Sequence, residues 1–316
     1  MHVYETSLKS GITRTKEFER KKLATHCVNV GIKCGHGCLY CSSGALLRMH
    51  RSFMEAGVSP FDRGYAIVDP STPERVAADA RRMKKRRLIQ LCTTTDAWSP
   101  EAREHNLGRR CLEAILSEPG WTVRILTKNA AVIHDYDLVE QHAERVLVGL
   151  SITGTPDKAD ILSIVEPNAS PIQQRMAALW EAHTRGLRTY AMFCPLLPSI
   201  ANSPEQIDGL VRLAVECGVE EIFAEPVNPR GPGLGLTQEA LEAKGCRAEA
   251  AAVGRIRNTR EWSHYVVSLI INIQQSARTH SDINKLRFLL YPSGLTPEDE
   301  ARIMEDDAGV MWLGEG

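Results

Sequence analysis

Short apolar runs alternating with amphipathic stretches constrain this 316-residue chain more than any other feature. The runs His26–Ile32, Leu88–Cys92, Thr122–Leu126, Val146–Ile152, Arg188–Phe193 and Glu221–Ala224 read as strands. Helix-like stretches near residues 73–86, 102–117, 136–144, 172–184 and 204–217 separate them. Such alternation predicts parallel βαβ units with right-handed crossovers, an α/β fold. Six units suit a partial (β/α)6 TIM-type barrel, and an open doubly wound sheet satisfies the same pattern. Either architecture gathers its chemistry at the C-terminal ends of the strands. Ser71-Thr72-Pro73-Glu74 predicts a hydroxyl-capped helix start with Glu74 closing a capping box, and Gly186 and Gly218 each end a helix.

Three regions follow. Residues 1–25 form a polar N-terminal arm, residues 26–234 the barrel, and residues 235–316 a mostly helical C-terminal extension that caps it. Helices are expected there at Leu236–Val253, Arg260–Arg278 and Pro297–Glu305, with one further strand at Leu286–Leu290. The formal net charge of -1 creates no global field toward nucleic acid or anionic membrane. The longest aliphatic stretch, Val266–Ile273, falls well short of the roughly 20 residues of a membrane span. Met1–Glu5 lacks the basic region and apolar core of a signal peptide, so the cytoplasm is the expected compartment. A basic run from Arg81 to Arg87 sits where a helix C-terminus is predicted and complements its dipole.

Nine cysteines are present, and three of them stand within eight positions. An odd count, no export signal and this clustering favour metal ligation over disulfides. Cys34-Gly35-His36-Gly37-Cys38-Leu39-Tyr40-Cys41 reads C-x3-C-x2-C directly after the first predicted strand. A glycine-relieved loop of this spacing can turn three thiolates toward one point. Three thiolates fill three corners of a [4Fe–4S] cubane and leave one iron without a protein ligand. S-adenosylmethionine (SAM) chelates such an iron, and reductive cleavage of its sulfonium gives a 5′-deoxyadenosyl radical. A zinc site is the competing reading, with His26, Cys27 or His36 as fourth ligand, although no second C-x-x-C-type pair accompanies it.

Asn29-Val30-Gly31-Ile32-Lys33-Cys34 through Tyr40-Cys41 resembles the cluster loop of the radical SAM superfamily, in particular its spore-photoproduct-lyase-like branch. Leu91-Cys92-Thr93-Thr94-Thr95-Asp96, Arg124-Ile125-Leu126-Thr127-Lys128 and Gly149-Leu150-Ser151-Ile152 resemble the ends of that branch's second, third and fourth strands. Val165-Glu166-Pro167 and Cys194-Pro195-Leu196-Leu197-Pro198 also stand where it carries similar residues. The similarity runs from about Asn29 to Arg230.

The resemblance implies a [4Fe–4S] cluster on Cys34, Cys38 and Cys41, SAM as cofactor, and a reducing electron donor such as a flavodoxin or ferredoxin. Asp96 would meet the SAM ammonium, with Thr94 or Thr95 adding a neutral hydrogen bond; a helix N-cap is the alternative for the threonines. Lys128 would neutralise the SAM carboxylate, unless it simply leaves its strand into solvent. Ser151 would bond the carboxylate or ribose, or serve as an ordinary loop serine. Tyr40 would pack near the adenine or wall the cluster from water. Cys92 stands where the lyases carry the cysteine that gives hydrogen to the product radical; a small buried strand residue is the alternative. Glu225, Asn228 and Arg230 are polar residues expected at the barrel mouth.

The lyases carry a tyrosine directly after the third cluster cysteine, and here that position is Ser42. No basic, aromatic-rich C-terminal hairpin stands ready to wedge a duplex. The reading is therefore a radical SAM enzyme abstracting hydrogen from an unidentified substrate. DNA photoproduct repair and a non-catalytic Fe–S or zinc binding module are the alternatives, and nucleic acid is a less favoured partner.

Overall fold

A computed structural model describes residues 1–314. Among these, nine strands form one sheet, in the order β12-β11-β10-β9-β8-β7-β6-β3-β2. The strands are β1 His2–Glu5, β2 Thr13–Arg14, β3 His26–Val28, β4 Gly31–Lys33, β5 Tyr65–Val68 and β6 Leu88–Leu91. They continue with β7 Thr122–Thr127, β8 Val146–Ser151, β9 Arg188–Leu196, β10 Ile222–Pro226, β11 Leu286–Leu290 and β12 Val310–Trp312. β3 and β6 through β12 pair in parallel, and β2 runs antiparallel on the β3 edge. This is the partial α/β barrel that the alternation predicts.

Two features extend it. The first predicted strand breaks after Val28, and the chain leaves for a second sheet, β1-β5-β4. The C-terminal segment does more than cover the barrel, because β11 and β12 continue its sheet from six parallel strands to eight. That segment is otherwise helical: Gly233–Ala243, Arg247–Arg255, Thr259–His280 and Pro297–Glu305. The single helix expected over 236–253 divides at Gly245, whose φ of 79° suits glycine.

Parallel strands covered on both faces read as continuous apolar runs, and β8 is buried at every position. Alternate side chains still part company. Val123, Ile125, Val146, Val148, Leu150, Ala191 and Phe193 join the large core under the helices. Leu147, Tyr190, Met192, Phe223 and Leu289 face the barrel interior. Leu23 and Leu313, from opposite ends of the chain, pack into the same interior cluster. Arg124 lies over the Tyr190 and Phe223 rings, at 4.6 and 5.2 Å, and donates to Glu221 at 2.8 Å. No helix among the described residues is long and apolar enough to cross a membrane.

The Tyr190 ring occupies the space that a side chain on Gly149 would need. A Cβ there would come within 2.3 Å of the ring, which Arg124 stacks against and whose hydroxyl donates to Ile125 O at 2.8 Å. Gly149→Ala is therefore expected to lower stability by about 1–3 kcal/mol through overpacking, read as a lower urea midpoint with unchanged slope.

Candidate functional site

The period of two that fills the barrel interior also builds the site. Moving up the inward positions, β6 leads to Cys92, β7 to Lys128, β8 to Ser151, β9 to Cys194 and β10 to Glu225. All five line one cavity of about 250 Å³ at the C-terminal strand ends. Cys34, Cys38, Cys41, Tyr40, Thr94, Thr95 and Asp96 line it too. Every site residue expected from the sequence therefore stands on its wall, as do Glu225 and Asn228. Arg230 lines an adjoining chamber of about 460 Å³ that also holds Phe18, Lys21, Tyr291 and Cys92.

The cysteine loop is clamped from two sides. The Glu101 carboxylate accepts from Gly35 N at 3.0 Å, and Ser99 Oγ donates to it at 2.6 Å. On the opposite side Asn168 Nδ2 donates to Gly35 O at 2.8 Å, and Leu39 N donates to Val165 O at 2.9 Å. Gly37, at φ 66°, makes the turn between the first two cysteines. Cys34 and Cys38 are half-buried and Cys41 is exposed. Burial, the Cys41 thiol and Glu101 raise Cys34 well above an ordinary thiol, and burial raises Cys38 to about 12.

Among the described residues no three His, Cys, Asp or Glu side chains converge at metal-ligating distance. The three thiols share a cavity wall without closing on one point. Their chemistry nevertheless suits an iron–sulfur cluster: three soft donors on one loop, with Lys128 as a cation across the cavity. The zinc reading fares worse. His36 uses both ring nitrogens, Nε2 with Asp96 at 2.9 Å and Nδ1 with Asn168 O at 3.1 Å. Cys27 pairs with Thr13 Oγ1 at 3.2 Å, and neither it nor His26 lines the cavity.

Asp96 is placed where expected but engaged differently. Its carboxylate accepts from His36 Nε2 at 2.9 Å, Thr127 Oγ1 at 2.8 Å, Lys128 N at 2.8 Å and Trp98 N at 2.9 Å. Four donors fill the acceptor sites that a SAM ammonium would need. Burial opposes its ionisation, but His36 and the backbone donors hold it below the ordinary carboxylate value. Asp96 thus ties the cysteine loop, through His36, to the end of β7.

Glu166 plays the corresponding part on the other side. Its carboxylate accepts from the Tyr40 hydroxyl, from Lys128 Nζ at 3.0 Å, from Thr153 Oγ1 at 3.0 Å and from Arg175 Nη2 at 2.5 Å. Burial alone would raise it, yet the Lys128 and Arg175 cations, with the Tyr40 hydroxyl, hold it at about 2. Lys128 Nζ also donates to Ser151 Oγ at 2.7 Å and Cys194 O at 3.3 Å. Tyr40 is held by this hydroxyl bond as a wall of the cavity, with Lys128 5.6 Å from its ring centre.

The threonines divide. Asn29 Oδ1 accepts from the backbone N–H groups of Thr93, Thr94 and Thr95 at 2.9, 2.9 and 3.3 Å. Thr95 Oγ1 is spent on Asn29 and on Val30 N, both at 3.3 Å. Cys92 is buried against the cavity, which raises its thiol to about 12. Cys194 Sγ donates to Glu225 at 3.5 Å, and Glu225 in turn pairs with buried Lys21 at 3.1 Å.

No family model matches the chain. An uncharacterized protein of Acidianus two-tailed virus is 24% identical over 224 residues, 69% of this chain and 72% of that one. An uncharacterized protein of Mycobacterium tuberculosis is 23% identical over 203 residues, 64% of this chain and 58% of that one. Among solved structures, spore photoproduct lyase complexed with dinucleoside spore photoproduct superposes with a TM-score of 0.52 at 14% identity. The chain has the fold of spore photoproduct lyase. The match covers 76% of this chain and 66% of the lyase. A mutant of that lyase with bound AdoMet and dinucleoside spore photoproduct gives a TM-score of 0.52 at 15% identity.

Sequence reasoning missed the residues that hold this site together: His36, Glu101 and Arg175 as anchors, and Asn29 and Glu166 beyond their place in the resemblance. The one signal was charged residues inside otherwise apolar stretches, as in Ile164-Val165-Glu166-Pro167. Removing one partner from a buried ion pair strands the other, so Glu166→Gln should cost about 3–5 kcal/mol near neutral pH. Because the folded value lies at about 2, this stabilisation is complete above the unfolded glutamate value of about 4.3 and is lost as pH falls toward 2. Urea titrations across that window should show the gap between wild type and Glu166→Gln narrowing with acidity.

Proposed function

We propose that this chain is a radical SAM enzyme that holds a [4Fe–4S] cluster on Cys34, Cys38 and Cys41 and abstracts hydrogen from a substrate in the chamber next to the cluster cavity. The observation that carries the reading is the meeting of all three cysteines with the ends of β6, β7 and β8 around one cavity. When bound, the cluster and SAM supply a 5′-deoxyadenosyl radical. The residues of the chain bind, orient and shield. Lys128 and Arg175 against Glu166 leave one net positive charge beside the cavity, which suits the SAM carboxylate. Ser151 Oγ stands beside Lys128 Nζ and offers that carboxylate a second polar contact. Asp96 acts as a positioning residue, and Thr94 is the threonine of this run whose hydroxyl is left for the cofactor.

A thiol raised to about 12 stays protonated at neutral pH, the form a hydrogen-atom donor needs. Cys92 lines both the cavity and the chamber, so it can face cofactor and substrate in turn. A reducing cytoplasm, the expected compartment, would keep the cysteines as thiols. A flavodoxin or ferredoxin would supply the electron.

The test is anaerobic reconstitution with iron and sulfide, reduction, addition of SAM, and mass spectrometry of 5′-deoxyadenosine. Wild type should form it, and the triple variant Cys34→Ala/Cys38→Ala/Cys41→Ala should form none. Purified protein carrying zinc, with no cluster on reconstitution, would overturn the reading.

A further inference from the structure

The chain enters the cysteine loop through a lysine that, among the described residues, forms no ion pair. Lys33 is the last residue of β4 and stands next to Cys34. A lysine at a strand end ordinarily extends into solvent, but this one is half-buried and turns toward backbone. Its Nζ donates to Pro60 O at 3.0 Å and to Asp62 O at 2.5 Å, and it lies 4.4 Å from the centre of the Tyr65 ring. Carbonyl oxygens and a ring face hold an ammonium without neutralising it. Lys128, the other ammonium near the thiols, is instead paired with Glu166 at 3.0 Å.

Lys33 shares a pocket with the thiols. Besides the cavity at the strand ends, Cys34, Cys38 and Cys41 line a second, smaller pocket of about 90 Å³, whose charged residues are Lys33, Asp62 and Arg63. Two cations thus stand against one anion there. Cys41 and Cys34 are the acidic groups whose fields the Lys33 ammonium feels most, ahead of Asp62. The Asp62 carboxylate accepts from Ser59 N at 3.2 Å. The strap that Lys33 holds, residues 59–64, lies close on the chain beyond Cys41: a Cβ on Gly44 would come within 2.6 Å of Pro60 O. The Tyr65 hydroxyl fixes its other end by donating to Ser59 O at 2.5 Å.

We propose that Lys33 sets the reduction potential of the cluster, its unpaired ammonium making the added electron easier to hold. The inference rests on the radical SAM reading and adds to it a residue that tunes the cluster without ligating it. A four-iron core held by three thiolates is a net anion, and reduction adds one further negative charge. The step is the gain of one electron by the core, with no bond made or broken. A nearby cation favours the more negative state and so raises the potential, the more so where burial lowers the effective dielectric. Water admitted to the pocket would also stabilise the reduced cluster. Loss of the charge and loss of closure therefore move the potential in opposite senses, which separates a tuning lysine from one that only holds the strap.

The test is the midpoint potential of the cluster-loaded chain. It is titrated anaerobically with titanium(III) citrate, which gives up one electron to become titanium(IV), and read as the EPR signal of the reduced cluster. Lys33→Gln keeps a donor for the strap carbonyls and removes the charge. Its midpoint should fall, so that at the wild-type midpoint the reduced fraction drops from half to about a tenth. Lys33→Arg should stay near wild type. Asp62→Asn, which removes the opposing charge from the same wall, should move the midpoint upward. An unchanged midpoint in Lys33→Gln would overturn the proposal. So would a rise, which marks water entry, or a fall that Lys33→Arg shares equally, which marks lost geometry. Where Lys33→Gln retains no cluster, Asp62→Asn decides, and an unshifted midpoint there overturns the tuning role. A wild-type chain that takes up no iron and sulfide would instead remove the radical SAM reading itself.

Discussion

Glu166 is a buried carboxylate whose four donors come from four parts of the chain: Tyr40 in the cysteine loop, Lys128 at the end of β7, Thr153 beyond β8, and Arg175 on the helix Ile172–Thr184. A charge in that position is tolerated only while its partners stay in place, because each would otherwise be stranded away from water. The position of the loop relative to the barrel follows from this requirement. Asp96 imposes the same condition from the β6 side through His36, and Glu101 does so through Gly35. Three carboxylates thus grip the cysteine loop before any metal is considered.

This arrangement separates holding the loop from doing the chemistry. Asp96 lines the cavity but its oxygens are taken by four donors, and Glu225 on the same wall is paired with Lys21, so thiols, hydroxyls and the Lys128 ammonium are the groups the wall offers. The wall is accordingly suited to anionic and sulfur-rich chemistry, whereas a hard-cation site would need several unengaged carboxylates on the inside. The adjoining chamber shares Cys92, Cys194 and Glu225 with the cavity and adds Phe18 and Lys21 from the N-terminal arm and Tyr291 from beyond β11. A substrate there would meet both ends of the chain, so the arm and the C-terminal extension belong to the site as much as the central strands do.

Much of this was legible in the sequence, for a simple reason. Strand ends and cysteine spacing are local patterns, so Lys128, Ser151, Cys92 and the three cysteines could be placed from their own neighbourhoods. The anchors were not legible, because their meaning lies in contacts over long separations: His36 meets Asp96, and Glu166 meets Tyr40, only after folding. Local competition misled in two places. The strand expected over His26–Ile32 breaks because the Asn29 side chain collects the backbone of Thr93–Thr95 instead of extending the ladder. Ser71 makes no cap bond with its side chain; Asp69 takes that part by accepting from Ser71 N at 3.1 Å, and the capping box occurs at Ser203 with Gln206. Short β12 lies in a stretch too brief for period two to register.

If Cys34, Cys38 and Cys41 hold a four-iron cluster as proposed, three thiolates would leave one of its irons without a protein ligand. Mössbauer spectra of the protein reconstituted with isotopically enriched iron, recorded before and after SAM is added, test this most directly. The expected result is a four-iron cluster in which one iron of the four changes its isomer shift when SAM binds. Four irons indifferent to SAM, or iron held singly rather than as a cluster, would contradict it.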